Sequence, residues 1–550
     1  MLRTTVPRRP LLMECVTLRC LALTLYAVVG LVAPTTGQPR DRGQGASTAS
    51  LAGRITTGTP ARPLAGAQVN VSAERGRTQE STTTGPDGRF LVDGLPAGRY
   101  VVTAGKGGFL RLQFGQTRPF DRGTPLQLAA GESLTGVDVH LPRGAVLTGL
   151  VLDQLGEPAV GAMAHAQRYE FASGRWRMVT AGRSDDTDDR GRYRIYGLPP
   201  GEYFLEVVPN GYSSSGAGPT YYPGTTEVDS AQRIAVGLGE ELAGLDLQLT
   251  HVETGRVTGR VAGAGGLPPT VGLVSRTPGA RIRSGRVGRD GSFAIDGVPP
   301  GRYLAYTSTS STDGPIRFAL AELTVGAGDA EGLALQLTTG ARAAGMIAVY
   351  GGDAVPFTPP ELQLFTMPQG FVDVPVGRGT GRVANDWSFE IQGIGDAQLI
   401  RLIGLPDGWE LEAVLLNGQD ITDQPVRLPA GRTTDGFRIV VTDRTTRLLA
   451  TVVDDAGRPV AGAQVLIFPT DETRWTYPSR FVRHAQADHL GTIDVRGLPS
   501  ERYLVFAAEG IPSGAETDPD LLQRLRPLAG SLTLGAGETR QVPITLAELP

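Results

Sequence analysis

Five histidines, one run of aspartates and a few aromatic rings set outside a repeated pattern are the residues of this chain whose types could do chemistry. A zinc pair of the His-x-x-Glu kind needs its two ligands at that spacing, and none of the five histidines begins one. His140, His165 and His251 stand far apart, and His484 and His489 fall five apart in a variable loop, so no metal centre is expected. Asp185-Asp186-Thr187-Asp188-Asp189 is the densest charge cluster and could collect Ca²⁺. The alternation and glycine of an EF-type loop do not align there, however, and a solvated turn is expected. No Gly-x-Ser-x-Gly elbow occurs, and the histidines have no local partner motif. The expectation is a protein that is not an enzyme and holds no cofactor.

The aromatic rings point to recognition instead. Trp176, Tyr221, Tyr222, Trp475 and Tyr477 lie in insertions between repeated segments, where the repeat itself does not call for bulky rings. A flat ring offers a stacking platform for the C–H face of a sugar, and loop positions carry function more often than core ones. Arg175 and Arg177 flank Trp176, and Arg474 precedes Trp475, so guanidinium donors to sugar hydroxyls are expected beside the rings. The expected partners are a polysaccharide or a cell-surface protein.

The elements that must position these rings are set by one stretch that recurs five times. It reads Asp87-Gly88-Arg89-Phe90-Leu91-Val92-Asp93-Gly94-Leu95-Pro96-Ala97-Gly98-Arg99-Tyr100 in its first copy. Twelve residues separate Gly88 from Tyr100, Gly191 from Tyr203, Gly291 from Tyr303, Trp387 from Leu399 and Gly491 from Tyr503. A fixed internal count between drifting linkers marks a repeated domain. Pro86-Asp87-Gly88 is turn chemistry, Phe90 and Val92 alternate as in a half-buried strand, and Pro96-Ala97-Gly98 makes a second turn. The unit is therefore strand, corner, strand, with a tyrosine whose hydroxyl should bond nearby backbone, as in Greek-key sandwiches. The fourth copy lacks the Pro-Gly corner, and in the fifth Glu501 replaces Gly98. A non-Gly residue in a left-handed turn costs on the order of 1 kcal/mol, which is the expected cost at Trp387 and Glu501.

Each copy also has a matched beginning and end. Leu51 to Ile55 with Arg62 to Val71 recurs at Gly149 to Ala162 and Ala450 to Val465, and the closing alternation at Val137 to Leu141 recurs at Leu245 to Leu249, Leu333 to Leu337, Phe437 to Val441 and Val542 to Leu546. About seven strands fit in each copy, the number a two-sheet sandwich needs. The phrases Gly457-Arg458-Pro459-Val460-Ala461-Gly462-Ala463-Gln464-Val465 and Asp290-Gly291-Ser292-Phe293 to Tyr303 resemble the carboxypeptidase regulatory-like domain of bacterial tandem-domain proteins. That resemblance implies an all-β chain of prealbumin-like, immunoglobulin-like sandwiches, a fold shared by enzyme appendages, adhesin stalks, starch-binding-like modules and receptor extensions. The expected division is 1–37 signal peptide, 38–50 flexible leader, and sandwiches at 51–142, 143–252, 253–340, 341–443 (degenerate) and 444–550. Joined by connections as short as Pro142-Arg143-Gly144, these units are expected to contact only their sequential neighbours.

The address follows from the N-terminus. Arg3, Arg8, Arg9 and Arg19 precede an apolar run from Leu21 to Ala33 and the small, polar Pro34-Thr35-Thr36-Gly37, the pattern of a secretory signal peptide. The run is shorter than the ~20 residues of a membrane span, so no span is expected in a mature chain starting near Gln38. Both cysteines, Cys15 and Cys20, would be removed with it. Taking the four arginines and one glutamate of residues 1–37 from 52 basic and 56 acidic residues leaves a net charge of −7. Nucleic acid is not an expected partner of an acidic chain without a basic stripe. A secreted, periplasmic or cell-surface binding or spacer protein is the leading expectation, with carbohydrate binding and an accessory role in a degradative or uptake system as alternatives.

Overall fold

The computed structural model describes residues 48–550, apart from 75–77, 119, 211–218, 252, 264–266, 276–281, 310–315, 327, 353–354, 370–373, 375 and 513. Residues 1–47, with both cysteines, lie outside the described residues; the end of the expected leader is corrected, since Ala49 and Ser50 already belong to the first strand, Ala49–Thr57, with Ala49 paired to Leu95. The chain is nearly all β, built from immunoglobulin-like repeats. The third repeat shows the plan. Its opening strand Gly255–Ala262 lies between Ser292–Val298, antiparallel, and Ala330–Gln336, parallel. A second sheet runs in the order Arg283–Arg286, Thr270–Ser275, Gly301–Ser308, Phe318–Val325. Alternating residues of both sheets meet in a cluster that includes Val257, Leu273, Phe293, Tyr303 and Leu335. The fifth repeat has the same three-plus-four arrangement, and the first two add short strands to it.

The recurring stretch crosses from one sheet to the other. Arg89–Leu95 pairs with the opening strand, whereas Gly98–Gly105 pairs with Gln68–Ala73 in the opposite sheet. The turn between them is held by the tyrosine. Tyr100, Tyr203, Tyr303 and Tyr503 each donate their hydroxyl to the proline carbonyl four residues back, at 2.8, 2.6, 2.9 and 2.7 Å. Burial pushes the Tyr203 hydroxyl up to about 12, and moves those of Tyr100 and Tyr503 upward too, so these donors keep their protons. Leu399 of the fourth repeat has no such hydroxyl.

A size rule explains the opening strand. Gly53, Gly149, Gly259 and Gly345 sit opposite Phe90, Tyr193, Phe293 and Phe389, and a Cβ on Gly53 would lie 2.0 Å from the Val137 carbonyl oxygen. In the fifth repeat Ala450 faces the smaller Ile493. Small against large keeps the local volume filled without overlap.

The cost expected at Glu501 is corrected. The left-handed positions are Gly88 and Gly94 and their counterparts, not Gly98, Gly201 or Gly301. A Cβ on Gly98 would approach nothing closer than 3.6 Å, so glutamate enters the fifth copy without strain. Trp387 does bear the cost, at φ 66°, and its ring packs edge-on near Phe357. The fourth repeat also departs from two separate sheets. Thr380–Val383 pairs with both Gln363–Pro368 and Ser388–Ile394, joining everything into one eight-stranded sheet. Gly381 permits this, since a Cβ there would stand 2.4 Å from the Glu390 carbonyl oxygen.

The expectation of contacts between sequential neighbours alone is overturned. The Arg99 guanidinium of the first repeat reaches the fifth, donating to the Gln486 carbonyl at 2.5 Å and the Thr492 carbonyl at 3.4 Å. Asp488 lies 3.8 Å from it, and the Gln486 side chain donates back to the Arg122 carbonyl. The second repeat meets the fifth so closely that a Cβ on Gly514 would overlap the Phe171 carbonyl oxygen. Arg480 joins the fifth to the fourth by a bidentate pair with Asp423, at 2.8 and 2.7 Å. Short linkers restrict where the next repeat can lie but do not fix its rotation; side-chain complementarity does.

Candidate functional site

The site is built on a hairpin of the second repeat. Met163–Ala172 and Arg175–Asp186 are joined at Ser173 and Gly174, both with positive φ. Their register places Phe171 opposite Trp176 and Tyr169 opposite Met178. Gly201–Val208 pairs on the other side, with Phe204 opposite Gln167. Side chains alternate along a strand, so Ala164, Ala166 and Leu205 enter the sandwich core while Tyr169, Phe171, Trp176 and Phe204 share the outer face. Tyr169 meets Phe204 edge-on at 5.6 Å, and Phe171 meets Trp176 likewise at 5.6 Å. Such pairs hold rings in place beyond their area burial.

A loop of the first repeat, between the strands Leu112–Gln113 and Leu126–Leu128, closes one side. Phe120, held at φ 63°, lies beneath the Arg168 guanidinium, 3.8 Å from its ring centroid. Arg168 pairs with Glu170, and Arg233, 5.8 Å above the Phe204 ring, pairs with Glu202 at 3.2 Å. The result is a cleft of about 610 Å³ lined by four aromatic rings with Arg168, Glu202 and Arg233. That volume is within the range of small-ligand sites. Burial raises the Tyr169 hydroxyl, the Asp229 carboxylate raises it further, and Arg233 opposes both. Trp176 is 55% exposed and presents its ring to solvent, whereas Phe204 is buried as the floor. Rings, paired charges and an open face suit binding of a hydroxylated ligand.

The other expected rings are placed differently. Trp475 is 3% exposed; its Nε1 donates to the Pro469 carbonyl, and its ring packs edge-on against Phe468. It belongs to a second core of the fifth repeat, covered by the short helix Pro519–Leu525 through Leu521, Leu522 and Leu525. As a ligand platform Trp475 is thus corrected to a packing residue. Tyr221 is likewise buried, its hydroxyl donating to Glu206 at 3.3 Å. Tyr222 packs partly onto the core of the second repeat. Tyr477, half-buried, backs onto the hairpin turn, since a Cβ on Gly174 would stand 2.9 Å from its Cβ.

The flanking arginines are corrected as well. Alternation puts Arg175 and Arg177 on the strand face opposite Trp176, and Arg474 is engaged by Glu501 at 2.7 Å and Asp471 at 3.3 Å. Arg168 and Arg233 stand at the cleft instead. The Asp188 carboxylate accepts the backbone N–H groups of Arg190 and Arg192, which makes the aspartate run a turn brace and lowers its pKa. His484 shares a hydrogen bond of 3.0 Å with Gln464, while His489 faces the first repeat near Gln127. Among the described residues, no group of three or more His, Cys, Asp or Glu could hold a metal ion. No helix among them is long and apolar enough to cross a membrane.

Of the cleft residues that the spacing of motifs left out, Tyr169 was within reach: Tyr169-Glu170-Phe171-Ala172-Ser173-Gly174-Arg175-Trp176 is a hairpin signature with rings on one face. Phe120, Glu202 and Arg233 are brought in by folding and carry no local signal.

Fold and site together define an all-β protein of immunoglobulin-like repeats with an aromatic cleft on one of them. Residues 50–142 match the carboxypeptidase regulatory-like domain. No curated protein matches the chain. Among solved structures, a streptococcal ancillary pilin is 13% identical, covering 52% of this chain and 98% of its own, at a TM-score of 0.20. The minor pilin of Streptococcus agalactiae is 14% identical over 37% of this chain and 96% of its own, at 0.21. A shaft pilin of Lactobacillus rhamnosus is 12% identical over 37% and 98%, at 0.19. At these scores the likenesses carry no conclusion about what this chain binds.

Proposed function

We propose that this chain is a non-catalytic binding protein of the bacterial cell envelope, secreted by its N-terminal segment, divided into sandwich domains at 51–142, 143–252, 253–340, 341–443 and 444–550, and docking polysaccharide at the Trp176 cleft. The observation that carries this reading is a solvent-facing indole in a ring-lined cleft of about 610 Å³. Ring faces bind the apolar side of a sugar, and buried neighbouring rings stop the platform from collapsing. The packing of the fifth repeat against the first, second and fourth favours a fixed platform over an extended spacer. The test is retention of the purified chain in native gels cast with polysaccharides. Trp176→Ala should abolish retention and leave the melting profile nearly unchanged; retention that survives the substitution sinks the reading.

A further inference from the structure

The cleft also has a charge pattern, which narrows the ligand class of the site proposed above; the inference rests on that proposal. Both arginines that line it are already partnered. Arg168 pairs with Glu170 and Arg233 with Glu202. Each guanidinium also lies over a ring, Arg168 over Phe120 and Arg233 over Phe204, so the cations occupy those two ring faces. Each arginine lining the cleft is thus already held by a carboxylate, so an acidic glycan would have to displace Glu170 or Glu202 to gain a cation, which disfavours a carboxylate or sulfate there.

The same pairs suit uncharged hydroxyls. Glu202 and Arg233 are more than 60% exposed, with the guanidinium Nη1 3.2 Å from the carboxylate oxygen. Side by side they offer a donor and an acceptor, so one hydroxyl of an adjacent pair can accept from the guanidinium while its neighbour donates to the carboxylate. With Phe120 and Phe204 covered and Tyr169 half-buried edge-on against Phe204, Trp176 is the cleft ring most open to the C–H face of the same sugar. We infer that the Trp176 cleft is a site for a neutral polysaccharide with adjacent free hydroxyls, stacked on Trp176 and held at its edge by the Glu202–Arg233 pair.

The full chain should be run in native gels containing neutral polymers (glucan, mannan, xylan, galactan) and, in parallel, acidic ones (alginate, polygalacturonate, chondroitin sulfate). The expected result is retardation by at least one neutral polymer, little changed between low and high salt. Trp176→Ala should weaken it at least tenfold. Glu202→Gln, which keeps the shape but removes the charged acceptor and loosens its hold on Arg233, should weaken it severalfold without moving the melting temperature. Retardation by acidic polymers alone, lost in Trp176→Ala, would overturn the neutral-ligand inference and leave the cleft reading standing. Retardation by a neutral polymer that Glu202→Gln leaves unaltered would overturn the role of the ion pair. If no polymer of either kind retards the wild-type chain, the polysaccharide reading itself fails, and this inference with it.

Discussion

Acidification should weaken the fifth repeat through His484, by an amount that follows from its surroundings. Gln464 Oε1 accepts the backbone N–H of Ile511 at 3.0 Å, which identifies it as the oxygen. The ring nitrogen 3.0 Å away, Nε2, must then carry the hydrogen, leaving Nδ1 buried with no partner. Protonation would place a second N–H where nothing accepts it. Burial, with Arg122 adding repulsion, pushes the His484 pKa from 6.5 down to about 4. The unfolded chain therefore takes up its proton first as pH falls. Stability linked to this group is complete above about pH 6.5 and is lost as pH drops toward 4. At 1.36 kcal/mol per pKa unit the full loss is about 3 kcal/mol, and roughly 2.5 kcal/mol of it has gone by pH 4.5. His484→Gln keeps a donor for Gln464 but cannot titrate. Urea unfolding, followed by hydrogen–deuterium exchange of the strand Gln464–Pro469, compares wild type and variant at pH 7 and pH 4.5. The wild-type advantage should shrink by roughly 2.5 kcal/mol between the two. An advantage of equal size at both pH values would refute the tautomer argument and the burial argument together.

Glu410 predicts the opposite trend at the junction of the fourth and fifth repeats. Burial raises its carboxyl to about 7 against the opposing charges of Arg480 and Arg483, so stability is full below about pH 4.5 and lost as pH rises through 7. After allowance for its partial exposure, Glu410→Gln should add about 1–2 kcal/mol at pH 8 and nothing at pH 4, read by thermal melting; no gain at pH 8 contradicts the assignment. Tyr503→Phe removes the hydroxyl that donates to the Pro499 carbonyl and should cost about 1 kcal/mol in the fifth repeat, measured by the same exchange experiment. An unchanged value would make the corner bond ornamental. The contact of the first repeat with the fifth is tested by Gln127→Cys with His489→Cys, whose parent residues approach to 3.4 Å. A short bismaleimide should link the pair within one chain, and failure to link in the folded protein would contradict the closed packing.

The sequence by itself determined the repeat plan. Period-2 alternation at Phe90 and Val92, the turn glycine and the corner tyrosine are local features whose physics acts within a few residues, so the strand–corner–strand unit and a tyrosine hydroxyl bonded to nearby backbone were legible before any contact was known, while the Pro96 carbonyl as its partner came from the structure. Trp176 stood out as a bulky ring outside the repeated pattern, but that it stands exposed on a hairpin strand rather than in a loop follows from the strand register. The fate of Trp475 was not legible: what buries it is a helix more than forty residues later, and a ring is exposed or hidden by what covers it, not by its immediate neighbours. Nor was the position of Glu501, since residue type does not reveal the sign of φ at a corner that glycine and glutamate both satisfy. Only the tertiary structure decided that Phe120 and Arg233 join Trp176, and that Arg99 fastens the first repeat to the last. Those contacts join surfaces distant in the chain, whose fit depends on the shapes of both partners, and no local pattern encodes such complementarity.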